Sequence, residues 1–241
     1  MSDDLTALTR LPWQWEWVPT VRPCEPGHEA WTESIVTLFE EWTAEDLAAV
    51  RAAWPADAGT EFPVTSDMVG RDAAAWLLER ADALPAWARL AWGAVFVDDR
   101  PRWAPVPVVV EFCTPRAEDP NYLMDQVGAR GMDGDAREPV VDYVTTPIGE
   151  GVRVFALCRS AQGAGYARLH AALRLDVPPS GGSPRVSTDV LLSTLVFEMG
   201  LMGLIGAGVE RLMQQIADEC VPTEAGPARL GFVAATGEGQ L

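Results

Sequence analysis

With 241 residues and 48% of them apolar, the chain can build a sizeable core, which excludes global disorder. The formal charge of -17 excludes wholesale binding to DNA or RNA and disfavours anionic membrane surfaces, because both need a basic footprint. All 18 basic residues are arginines and Asn121 is the sole asparagine, the bias of a GC-rich genome, so arginine abundance by itself carries no functional signal.

Residues 1–10 read as a loose tail, acidic and without the basic start and apolar stretch of a secretory signal. Trp13, Trp15 and Trp17 then alternate with Gln14 and Glu16, which puts the three indoles on one side of an extended segment. Pro12, Pro19, Pro23 and Pro26 flank it, so an edge strand or a strap over the core is expected.

Helical spacing follows. Trp31, Ile35, Leu38, Phe39 and Trp42 mark a helix over 29–42. Thr43 to Asp46 resembles a capping start for a second helix over 44–54, and Arg71 to Leu84 reads as a third. All ten tryptophans precede residue 104, as large core fillers or as part of an aromatic binding surface.

From Leu90 the period becomes two. Strands are expected at 90–97 and 106–113, joined through a hairpin at DDRPRWAP, then at 140–146, 152–159 and 167–177. Between them, 114–138 reads as a loop with a short helix near 122–127 and a mobile Gly-Met-Asp-Gly-Asp stretch. After the PPSGGSPR loop, the run Val190–Phe197 forms a buried strand. A glycine-spaced connector leads from it into an amphipathic helix whose stripe is Val209, Leu212, Met213, Ile216 and Cys220. Glu198, Ser193 and Thr194 interrupt the apolar stretch 190–209, which argues against a membrane span. A last short strand is expected at 230–234.

The resulting fold class is α+β. A helical N-terminal region precedes a largely antiparallel β-sheet, with the C-terminal amphipathic helix packed on one sheet face. The expected organisation is a Trp-rich strap and helices over 1–88, integrated with the sheet and helix of 89–222, and a tail over 223–241.

Candidate chemistry is sparse. Gly200, Gly203, Gly206 and Gly208 match neither a dinucleotide fingerprint nor a P-loop, so close helix packing explains them better. Cys24 and His28 supply only two metal ligands. The four cysteines are scattered, as in a reduced cytoplasmic protein. Strands 152–159 and 167–177, if paired, gather Arg153, Arg159, Arg168, His170 and Arg174. Residues 137–185 hold six arginines against four acids, whereas residues 1–136 hold ten against twenty-four. A solvated or self-neutralised face is the simpler reading, and an anion- or acid-binding face the sharper one.

The sequence therefore favours a non-catalytic accessory, adaptor or chaperone-like subunit that binds another protein through Trp13, Trp15, Trp17 and the arginine set. No cofactor or metal is expected. The rival readings are a small-molecule binder or enzyme, with a pocket between sheet and helices near His170, and a structural subunit of a homo-oligomer.

Overall fold

The computed structural model describes residues 12–20, 27–55, 57–97, 100–101, 105–116, 121–177 and 186–221. The N-terminal tail, Cys24, most of the DDRPRWAP connection, the PPSGGSPR loop and the strand expected at 230–234 lie outside them.

The chain is α+β, and its sheet is antiparallel throughout. The strands are β1 (Trp13–Trp17), β2 (Ala88–Val97), β3 (Arg100–Pro101), β4 (Val106–Cys113), β5 (Val140–Thr146), β6 (Gly149–Arg159), β7 (Gly165–Val177) and β8 (Val186–Val196). They lie in the order β1-β2-β4-β8-β7-β6-β5, with β3 pairing only β2. The N-terminal set β1-β2-β4 and the C-terminal set β5-β6-β7 each pair strand to strand, and β8 joins them by bonding β4 on one side and β7 on the other. The buried strand expected at Val190–Phe197 is thus the middle of the sheet.

The C-terminal helix, α5 (Ile205–Glu219), follows a short turn of helix, α4 (Met199–Met202). Its Ile205, Val209, Leu212, Met213 and Ile216 are wholly buried against the sheet. Removing each of these from water contributes about 1.5–3 kcal/mol.

Both outer edges of the sheet reach this helix. On the β1 side, the Trp15 indole donates to the Gly208 carbonyl (2.8 Å) and the Trp17 indole to Glu219 (2.7 Å). On the β5 side, Gln214 donates to the Thr145 carbonyl (2.8 Å), and Arg153 of β6 bonds Glu210 and the Gly206 carbonyl. A flat sheet of this width would hold its edges about 29 Å apart, far more than the roughly 10–12 Å diameter of a helix. The sheet therefore curls around α5, and the helix closes the gap between its edges.

Two glycines make the closure fit. A Cβ on Gly208 would run into the Trp13 ring, and one on Gly93 into the Trp15 ring. Of the connector glycines, Gly208 serves this packing; Gly206 and Gly208 lie inside α5, which begins four residues before the expected Val209.

The outer face carries two separate covers. Helices α1 (His28–Ala52) and α2 (Ser66–Asp82) pack over β2 through Ile35, Leu77, Leu90 and Trp92. The segment around α3 (Tyr122–Gln126) packs over β6 and β7 through Val127, Val152, Val154 and Ala172.

Helix α1 corrects the expected pair of helices. Thr43 does not cap a new helix; its hydroxyl bonds the Phe39 carbonyl one turn back (2.8 Å), so the backbone runs on unbroken. Helix α2 starts at Ser66, five residues before the expected Arg71, because Thr65 caps it by accepting from the Met68 amide (3.2 Å). No described helix is long and apolar enough to cross a membrane.

Candidate functional site

The arginine set divides on strand register. Val154 pairs His170 and Ala156 pairs Arg168, so Arg168, His170 and Arg174 share the outer face with Val154 and Ala156. Arg153 and Arg159 are one residue out of step and point to the α5 side. The five side chains expected on one face are on two, and that expectation is corrected.

On the α5 side, Arg153 is held by Asp142 (2.9 Å) and Glu210 (3.1 Å). Arg159 lies at the exposed strand end. On the outer face, Arg168 is 7% exposed and grips Asp135 with two bonds of 2.8 and 2.9 Å. It also reaches the Val127 carbonyl (3.4 Å). Burial pushes the Asp135 carboxyl up, but hydrogen bonds from Arg168 and the Met132 amide outweigh it and hold the group below its usual value.

His170 sits beside this pair, with Nδ1 3.2 Å from Arg168 Nη1. A guanidinium only donates, so Nδ1 accepts. Burial, and then the Arg168 charge, push the imidazole below its ordinary value. Ser193 is its cross-strand neighbour, but no hydrogen bond joins the two among the described residues. A nitrogen already engaged by a permanent cation is a poor general base.

Arg174 forks onto Asp189 at 2.8 and 3.0 Å, and its guanidinium lies 5.7 Å from the centre of the Tyr122 ring. Burial pushes Asp189 up to about 6. The arginines of the outer face are therefore neutralised by the protein's own carboxylates.

The thiols are quiet. Burial raises Cys113 and Cys158, helped by Glu111 and by Asp135 respectively, and pushes Cys220 up to about 12. Among the described residues, no group of three or more His, Cys, Asp and Glu could hold a metal ion.

Trp13–Trp17 is the expected edge strand, but the partner-binding role expected for its indoles is corrected. Trp13 and Trp15 are 8% and 7% exposed, stacked with centroids 5.3 Å apart between β1 and α5. Their alternation was legible, but the side they share faces the helix. Trp17 is half-buried and spends its N–H on Glu219.

What the outer face does leave open lies between its two covers. Extending the antiparallel register of β4 and β8 sets Pro107 beside Leu195, and Pro105 beside Phe197. Trp92 flanks Pro107 on β2, and Arg168 flanks Leu195 on β7. Leu195 is 49% exposed and Phe197 67%, and the Phe197 ring stacks on Tyr166 at 5.5 Å. At the helical end of this strip is a pocket of about 120 Å³, walled by Phe39, Ala73, Trp76 and Leu77 and floored by Trp92, Pro105 and Pro107. From Trp92 to Arg168 the strip crosses three strand spacings, about 14 Å.

Reading from sequence missed the strip because Val190–Phe197 is apolar on both faces, and such a run signals burial on both sides. Here the inner face is covered by α5, whereas neither outer cover extends over Leu195 and Phe197. No protein-family model matches the chain, and neither the curated proteins nor the solved structures contain a significant match to it.

Proposed function

We propose that the protein is a non-catalytic, cytosolic accessory or chaperone-like subunit that binds another protein through the outer face of its sheet. The observation that carries this reading is the uncovered strip formed by Leu195, Phe197 and the Trp92 pocket. A contiguous apolar surface flanked by polar groups is the usual mark of a protein interaction site. The neighbouring Arg174–Asp189 pair ties β7 to β8, which presents it, and Arg168 ties β7 to the loop at Asp135. Three unpaired thiols, Cys113, Cys158 and Cys220, suit a reducing compartment. His170 and the outer-face arginines support this reading better than the enzymatic one, since Arg168 and Arg174 are spent on Asp135 and Asp189 and His170 Nδ1 on Arg168.

The test replaces Leu195 and Phe197 together by Asp. A tagged L195D/F197D protein should keep the wild-type melting temperature while losing a stoichiometric partner that wild type retains from its host. Retention of the same partner in the same amount contradicts the assignment to this face.

A further inference from the structure

The pocket at the end of the strip has a more specific chemistry, which rests on the reading just given. It holds about 120 Å³, close to the roughly 150 Å³ of a cavity that admits a single benzene-sized group. That is room for one branched aliphatic side chain. Trp92, part of its floor, is 5% exposed, and its indole N–H has no hydrogen-bond partner among the described residues. A buried donor left unmade is costly, so the site favours an occupant that brings an acceptor, as a peptide carbonyl does beside an apolar side chain.

The surroundings add a sign. The two helices that wall the pocket carry ten carboxylates against three arginines. All three are engaged: Arg71 pairs with Asp67 (2.6 Å), Arg80 lies over the Trp76 ring at 4.1 Å, and Arg51 donates to the Val64 carbonyl (3.4 Å) and lies 6.0 Å from the centre of the Phe62 ring. On the sheet, exposed Glu16 is the cross-strand neighbour of Trp92. A second copy of this chain, itself at -17, would meet this rim with like charge.

We infer that the Trp92 pocket is the anchor site for a segment of a partner protein that inserts one aliphatic side chain, offers a main-chain carbonyl to the Trp92 indole, and carries Lys or Arg on either side. The chain continues from the pocket along Pro107 and Leu195 to the stacked Phe197 and Tyr166. The 14 Å of the strip is the span of about four extended residues.

The experiment is a selection of random peptides displayed on phage against the full chain, followed by titration of the winning peptides into ¹⁵N-labelled protein. Winners should share an aliphatic residue flanked by Lys or Arg and should shift the Trp92 indole N–H resonance. Ala73→Met, which fills the pocket from α2, and Glu16→Arg, the exposed neighbour of Trp92 on β1, should each weaken the winners by about tenfold, the latter less so at high salt. Acid-flanked winners, no enrichment, or an unmoved Trp92 resonance overturns the inference. Should Ala73→Met unfold the protein, Glu16→Arg and the resonance decide by themselves. Winners lost in L195D/F197D but unaffected by Ala73→Met and Glu16→Arg would refute the pocket while leaving the outer-face reading in place. Winners indifferent to every one of these variants would refute both.

Discussion

The two faces of this sheet are built differently: the inner one is aliphatic along β7 and β8, whereas the outer one sets Leu195 and Phe197 among Arg168, His170, Arg174, Asp189 and Ser193. On the inner face, Leu169, Leu173, Leu175, Val190 and Leu192 meet α5 and are at most 2% exposed. On the outer face, β8 continues the same apolar run, yet Leu195 and Phe197 stay open because the α1–α2 pair and the α3 segment stop on either side of them. The inner face shows what the chain does to build a core, closing even the sheet edges against one helix. The outer strip at Leu195 and Phe197 stays exposed beside the Arg168–Asp135 and Arg174–Asp189 pairs, and the proposed binding rests on that exposure.

Four substitutions sharpen that contrast, from the largest effect to the smallest. Arg168→Ala leaves Asp135 buried and unpaired, and should cost about 3–5 kcal/mol in denaturant unfolding. A loss below about 1 kcal/mol would mean that the pair does not brace the outer face. Met213→Ala cuts a wholly buried side chain from the helix inside the curl, with an expected loss of about 2–5 kcal/mol in the same assay.

Asp189→Asn should act through pH. The carboxyl is raised above its ordinary value when folded, so the native state binds its proton more tightly than the unfolded chain does. Its contribution to stability is full below the ordinary carboxyl range and is lost as pH rises through about 6. The stability difference between wild type and Asp189→Asn should therefore turn against wild type across that window and be level above it; a flat difference from pH 3 to 8 would contradict the buried charge. Leu195→Ser is the smallest. On an exposed strip it should change stability by no more than about 0.5 kcal/mol, and a loss of 2 kcal/mol or more would make the strip part of the core.

Much of this architecture was legible. Alternation located β1, β4 and β7, and the helical stripe found α5, since each has one buried face and one polar face. Legibility failed where the deciding fact was tertiary. Strand alternation shows that Arg153 and Arg168 each leave their own core positions, but only register reveals that they do so on opposite faces; a one-residue offset exchanges the sides. Asp135 lies in a glycine-rich stretch that reads as mobile, and nothing local announces that it will bind Arg168, 33 residues on. The tryptophan strap was read correctly as a one-sided strand, yet its burial depends on Gly208 and Gly93, which make room for the rings from distant parts of the chain. Phe197 gave the opposite error: its neighbours implied burial, and the gap between two covers exposes it.

The most direct test of the outer-face account is site-specific photo-crosslinking in the native host. A benzophenone amino acid would replace Phe197 on the open strip or, as a control, Tyr143, which is 80% exposed on edge strand β5. The account predicts one dominant protein adduct from position 197 and none of that adduct from position 143. Equal adducts from both positions, or none from position 197 while the protein remains folded, would contradict it.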